Sequence, residues 1–319
     1  MRIVDVHSHF YPRDYLKLLG RVVENDSSVW GRAAQYQLTT RLTDNRKMVD
    51  INAHLEDMDK AGVEMEVLSL SIPHGYFDDE GDAVEGARIV NDTLADVCAR
   101  HPTRFKGLAV LPLPHVDAAL KELDRAIGTL GLHGLTLGGN VKGRPLDDES
   151  FLPLYREVNR RRLTIHMHPM IPPGQEEMGD YGLAPSMGYL LDTALGTLRL
   201  AHRGVFDENP ELKLIVPHLG TFLLSAWDRI QGTRPDGGLR GESLAIVLRR
   251  LYYDSVNLHR PSWDCALQTI DVSQVVFGTD YPFVREGSAE RGIALIGELD
   301  ITEQQRENIF HGTADTLFR

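Results

Sequence analysis

The run Val4-Asp5-Val6-His7-Ser8-His9-Phe10 sets two histidines one residue apart where a short apolar segment ends. In a strand, side chains at i and i+2 share a face, so His7 and His9 can converge on a single metal ion. Alone, such a pair is a weak signal. Three further apolar runs end in residues of metal-binding type: Leu163-Thr164-Ile165-His166-Met167-His168, Leu214-Ile215-Val216-Pro217-His218, and Val275-Val276-Phe277-Gly278-Thr279-Asp280. In each the polar residue sits at the carboxyl end of the run.

For these ends to meet, the strands carrying them must lie side by side and point the same way. Strands are expected at 2–6, 63–71, 105–110, 133–137, 163–168, 212–217, 251–256 and 275–278. Between them lie segments of helical periodicity. Ile51 to Gly62 repeats Leu55, Met58 and Ala61 on one face, Ala83 to Arg100 repeats Ala87, Val90, Leu94 and Val97, and Val116 to Leu130 repeats Leu120, Leu123, Ala126 and Ile127. Later helices are expected at 148–161, 187–207, 221–230, 261–270, 286–298 and 302–317. Alternation of this kind predicts an α/β chain of parallel strands, closed into a (β/α)8 barrel of the TIM type. Active sites of that fold lie at the carboxyl ends of the strands, which would put His7, His9, His168, His218 and Asp280 on one rim. An open doubly wound sheet is the alternative, but the first turn lacks the Gly-x-Gly-x-x-Gly pattern of a dinucleotide site.

Two stretches interrupt the alternation, one after the first strand (11–50) and one after the fifth (169–186). Insertions of that length are often lids or binding elements, and both are expected to cover the site. The 319 residues are otherwise read as a single domain, 1–319.

Composition narrows the partners. The chain has 34 Lys and Arg against 46 Asp and Glu, a net charge of −12, and no basic block. Nucleic acid and anionic membrane surfaces are therefore not expected partners. No apolar run is long enough to span a bilayer, and Met1 leads directly into the first strand, so a cytoplasmic enzyme without a signal peptide is expected. Cys98 and Cys265 lie too far apart in sequence to form a Cys-x-x-Cys zinc motif or a disulfide framework.

The set His-x-His after strand one, His168, His218 and Gly278-Thr279-Asp280-Tyr281-Pro282-Phe283 resembles the amidohydrolase-related metal enzymes. Within them it is most similar to the branch typified by aminocarboxymuconate-semialdehyde decarboxylase. Further likeness lies in Met58-Asp59-Lys60-Ala61-Gly62-Val63, Gly107-Leu108-Ala109-Val110-Leu111-Pro112, Pro210-Glu211-Leu212-Lys213 and Arg234-Pro235-Asp236. The resemblance implies one divalent metal, usually zinc, held by His7, His9, His168 and Asp280, with His218 beside it. It also implies a homodimer or higher homo-oligomer in which the Arg234 segment reaches a neighbouring subunit. Where binuclear relatives carry a lysine after strand four, this chain reads Leu135-Thr136-Leu137-Gly138. Two departures fall where a substrate would bind: Leu219-Gly220-Thr221 replaces a glycine triplet after His218, and the loop after strand two reads Pro73-His74-Gly75-Tyr76.

Three imidazoles and a carboxylate suit Zn2+, with Mn2+, Co2+ or Fe2+ as substitutes, and no organic cofactor is required. An ion in such a site lowers the pKa of a bound water to about 7 and polarises a neighbouring oxygen. His218 and Asp280 are then the candidate catalytic proton carriers. His166 shares a strand face with His168 and is expected to support the ligands from behind. Arg41, Arg229 and Arg234 are candidates to hold a substrate carboxylate, because the guanidinium fork matches its two oxygens, and His74 is placed for substrate contact. Phe10, Trp30 and Phe283 are candidate walls for a conjugated substrate.

The expected activity is non-oxidative decarboxylation of an unsaturated or aromatic carboxylic acid. Hydrolysis of an amide, ester, lactone or carbon–carbon bond at the same centre is the alternative, with hydration of a conjugated acid as a third. A metal-binding scaffold without catalysis is a different class of answer, and the spare histidine at the rim speaks against it.

Overall fold

The computed structural model describes every residue of the chain except 173, 179 and 233–243. Among the described residues run eight parallel strands: β1 Val4–His9, β2 Met65–Ser69, β3 Phe105–Gly107, β4 Leu135–Gly138, β5 Thr164–His168, β6 Lys213–Val216, β7 Tyr252–Asp254 and β8 Val275–Val276. They form two sheets, β1-β2-β3 and β8-β7-β6-β5-β4, with every pairing parallel. Isolated parallel bridges, Ala109 to Leu135 and Ser8 to Tyr281, link the two sheets. The amide of Val6 donates to the carbonyl of Phe277 at 2.9 Å, and that of His9 to Tyr281 at 2.8 Å. Helices follow the strands as the periodicity predicts, and a short antiparallel ribbon at 140–145 follows β4.

The helix Ile51–Ala61 shows how local sequence sets an element. Asp50 caps its start by accepting from the amide of Asn52, and Gly62 closes it in the left-handed conformation, φ 75°. The amphipathic face buries Ile51, Ala53, His54 and Met58.

Three expectations are corrected. The first strand does not stop at Val6 but runs through both histidines to His9, with a register break between Asp5 and Ser8. Val4 and Val6 pack with Met65, Val67, Leu108, Ile215, Val276 and Phe318 in an apolar plug. The bulge restarts the alternation so that the histidines can turn inward above it. Secondly, residues 11–50 are not a bare loop: they carry helices at Arg13–Val23, Val29–Gln37 and Arg46–Val49, with a π-helical turn at Leu38–Leu42. Leu16, Leu19, Trp30, Ala34 and Leu42 anchor them in the main core, where each fully buried large side chain contributes about 1.5–3 kcal/mol. Thirdly, the helix expected at 302–317 is interrupted by a π-helical turn at Asn308–Gly312. No helix among the described residues is long and apolar enough to cross a membrane.

Candidate metal centre

His7, His9, His168 and Asp280 come together at the carboxyl ends of β1, β5 and β8, each offering one donor atom, all within 4.8 Å of one another. Nε2 of His9 lies 3.0 Å from Oδ1 of Asp280, Nε2 of His7 3.3 Å and Nε2 of His168 3.9 Å from the same oxygen. The backbone reinforces this convergence, since the amide of Asp280 donates to the carbonyl of His7 at 2.8 Å. Asp280 itself sits at φ 61°, a strained conformation for a residue with a side chain, of the kind that clusters at functional sites.

The outer nitrogens explain why the inner ones are free to bind. Nδ1 of His7 donates to Oδ2 of Asp254 at 2.6 Å, and Nδ1 of His168 to the carbonyl of Pro169 at 3.0 Å. Nδ1 of His9 lies 3.0 Å from Oγ of Ser69, whose hydroxyl donates to the carbonyl of Ser8 and so accepts from the ring. Each ring can thus hold a proton on Nδ1 and direct Nε2 inward, the arrangement a metal ligand needs. Nε2 of His7 is buried without a hydrogen-bond partner among the described residues. A buried polar nitrogen of that kind costs about 1–3 kcal/mol unless something occupies it. The donor set therefore fits a divalent cation.

Electrostatics agree. Burial holds the His9 imidazole well below its ordinary value and pulls that of His168 down to about 4, keeping both neutral. Burial opposes charge on His7 as well, but Asp254 and then Asp280 raise it to about 10, so the two carboxylates favour a positive charge at this ring, which a cation would supply in place of the Nε2 proton. For Asp280, burial favours the neutral acid, yet the charge of His7 and then the nearby rings of His168 and His218 hold it well below the usual carboxylate range. Two carboxylates facing three rings, two of them held neutral, make a place for positive charge.

His218 stands on the other side of Asp280, its Nε2 3.9 Å from Oδ2. It begins a turn in which His218, Leu219 and Gly220 all have positive φ, 57°, 56° and 52°. Thr221 locks that turn by donating its hydroxyl to the carbonyl of His218 at 2.6 Å. His166 is fully buried, its ring 4.6 Å from that of His7, and neither of its nitrogens has a hydrogen-bond partner among the described residues. His74 lies in the same state, buried and stacked on Tyr76 at 5.1 Å rather than open at the rim.

The arginine candidates separate. Arg41, half-buried in the π-helical turn, lines a cleft of about 540 Å3 with Gln37, Ile72, Ile171 and Tyr189, and a second depression with Phe283. Phe283 in turn packs 5.5 Å from the ring of His9. Both insertions contribute to that cleft, and Arg32 of the first pairs with Glu176 of the second at 2.9 Å. Arg229 is instead solvent-exposed on the helix Trp227–Gly232. Arg234 lies outside the described residues. Phe10 and Trp30 are buried in the main core and do not line the cleft.

Sequence reading missed Asp254, Ser69 and Ser71, the last with its hydroxyl 3.0 Å from Nε2 of His168. Asp254 was detectable, because Leu251-Tyr252-Tyr253-Asp254 repeats the pattern of an apolar run ending in a ligand-type residue.

Comparison with known proteins gives a consistent result. The amidohydrolase family model matches residues 4–319. A 2-amino-3-carboxymuconate-6-semialdehyde decarboxylase of Dictyostelium discoideum is 26% identical, over 98% of this chain and 90% of its own. A gamma-resorcylate decarboxylase of Rhizobium radiobacter is 31% identical, over 86% of this chain and 88% of its own. Among solved structures, a dihydroxybenzoic acid decarboxylase from Polaromonas, with bound manganese and the inhibitor 2-nitroresorcinol, aligns with a TM-score of 0.83 at 25% identity. That alignment covers 99% of this chain and 96% of the other.

Proposed function

The chain belongs to the amidohydrolase family, and from that premise we propose that it is a metal-dependent, non-oxidative decarboxylase of an unsaturated or aromatic carboxylic acid. The observation that carries the reading is the inward convergence of three Nε2 atoms on Asp280, with Phe283 joining the ring of His9 to a depression that Arg41 also lines. The decarboxylases among the relatives, two of them named for carboxylated aromatic or muconate-type acids, supply the reaction type.

In this reading the eight strands form one closed (β/α)8 barrel domain over 1–319, with 11–50 and 169–186 as its cover. The two interstrand bridges that link the sheets support closure. His7, His9, His168 and Asp280 would hold one divalent ion. The donor set suits Zn2+, and the manganese of the Polaromonas enzyme makes Mn2+ the other choice. When bound, the ion supplies Lewis-acid polarisation of a substrate oxygen.

The chain's own groups do the rest. Arg41, with no ion-pair partner among the described residues, binds and orients an anionic substrate oxygen at the mouth of the cleft. Phe283 and Tyr189 supply flat surfaces for a conjugated ring. Loss of CO2 breaks one carbon–carbon bond and leaves its electron pair on the substrate carbon, which must take up one proton. His218, a partly buried side chain with Nε2 3.9 Å from Oδ2 of Asp280, delivers it, with Asp280 as the alternative carrier. His74 and His166 are held neutral by burial. Arg229 and Arg234 remain candidates for substrate contact, Arg234 through a neighbouring copy. The same reading makes the enzyme a cytoplasmic homodimer or higher oligomer, tested by light scattering against the 35.7 kDa monomer mass.

The test of activity is CO2 release from hydroxybenzoic and muconic-type acids by the purified protein. Evolved CO2 matching acid consumed supports decarboxylation, whereas consumption without CO2 points to hydrolysis or hydration at the same centre.

A further inference from the structure

Asp254 is a buried carboxylate whose two oxygens serve two different parts of the site. Oδ2 accepts the Nδ1 proton of His7 at 2.6 Å, and both side chains are fully buried. Oδ1 accepts from the amide of Val256 at 3.0 Å and, more distantly, from that of Leu219 at 3.4 Å. Leu219 follows His218 and shares its left-handed conformation, which costs an L-residue roughly 1–2 kcal/mol. A turn strained at two consecutive non-glycine residues persists only where its surroundings determine it. Here they do so from two sides. Asp254 Oδ1 faces the Leu219 amide, and the ring of the preceding residue, Tyr253, fills the space beside Gly220 so closely that a Cβ there would lie 2.6 Å from it.

The neighbourhood is built around this carboxylate. Gly278 passes so close that a Cβ would meet Cβ of His7 at 2.9 Å and Cβ of Asp254 at 3.1 Å. His166 Nε2 stands 3.7 Å from Oδ2.

We propose that Asp254 is the positioning residue that joins the two halves of the centre: through Oδ2 it fixes the His7 tautomer that directs Nε2 inward, and through Oδ1 it supports the turn that presents His218. The proposal rests on the metal-centre reading above. It predicts that the two oxygens can be separated chemically. In Asp254→Asn the amide oxygen can still accept from Leu219 and Val256, but the NH2 group then faces His7, whose Nδ1 must accept and whose Nε2 takes the proton. Asp254→Ala removes both functions.

The experiment measures Zn2+ affinity by chelator competition on the full chain, together with 15N-histidine spectra of the zinc-saturated proteins, for wild type, Asp254→Asn and Asp254→Ala. Wild type binding about one Zn2+ per chain establishes the centre, and a wild type that binds none sinks the centre itself rather than this inference. With wild type binding, the expected result is a loss of ~10–100-fold in Zn2+ affinity in both variants, as for other carboxylates behind a ligating histidine. The His7 Nδ1–H signal should be lost in both, and the His218 ring resonances should move in Asp254→Ala while staying near wild type in Asp254→Asn. Affinity of Asp254→Asn within twofold of wild type overturns the role of Oδ2. His218 resonances equally placed in wild type and Asp254→Ala overturn that of Oδ1. Circular dichroism identifies a variant that fails to fold, and the milder Asn variant then carries the test.

Discussion

Nε2 of His218 stands 3.9 Å from Oδ2 of Asp280, while the other oxygen of that carboxylate, Oδ1, faces the three converging rings. Asp280 therefore divides the site into a side suited to an ion and a side suited to proton transfer. His218→Ala should keep the metal and lower turnover by ~100–10,000-fold, the range for removing a general acid or base. Metal content and CO2 release on one sample check this, and a variant with unchanged turnover would remove His218 from the chemistry.

Gly278 is predicted to tolerate no side chain. In Gly278→Ala the new Cβ meets both His7 and Asp254 at 2.9–3.1 Å, and both of those side chains are buried and paired. Overpacking of this kind costs roughly 1–3 kcal/mol. Thermal unfolding with metal titration should show a lower midpoint and weaker metal binding together.

Arg41 is expected to act on binding more than on the chemical step. Replacing it by Ala should raise KM for an acidic substrate by ~10–100-fold, in line with about 1.5–3 kcal/mol for a hydrogen bond to a charged group. Arg41→Lys keeps the charge but loses the fork, and should fall between the two. Steady-state kinetics in which KM is unchanged would place the substrate's acidic group elsewhere.

His74 gives a pH signature with a definite sign. Burial pulls its imidazole down to about 3, below the 6.5 of an exposed histidine. Between those values the unfolded chain binds a proton that the folded chain does not, so stability is full above about pH 6.5 and falls as pH drops toward 3. The slope reaches at most about 1.4 kcal/mol per pH unit for one such group. Urea unfolding from pH 8 to pH 5 should give a shallower acid limb for His74→Gln than for wild type, and identical limbs would mean that His74 is hydrated in the folded state.

The candidate donors were legible in the sequence because each ends a strand, and strand ends carry a simple signal: an apolar run followed by one polar residue. His7, His9, His168, His218 and Asp280 were all found that way and lie together. Asp254 carried the same signal but as an acid after two tyrosines, a pattern equally suited to a turn. The bulge in β1 was not legible, since it depends on pairing with β2 and not on the local residues. Nor were the helices of 11–50, whose apolar positions become regular only against the core they cover. The arginines show the limit most clearly: guanidinium chemistry is the same in Arg41 and Arg229, and only the packing puts the first in a cleft and leaves the second in solvent.

The most direct test of the account is the metal content of protein purified without added metal, with CO2 release from the acid panel followed on the same sample through chelation and reconstitution. The account predicts about one divalent ion per chain, with ion and CO2 release lost together on chelation and restored together by Zn2+ or Mn2+. Protein that contains no metal and binds none, or CO2 release that survives complete removal of the ion, would contradict it.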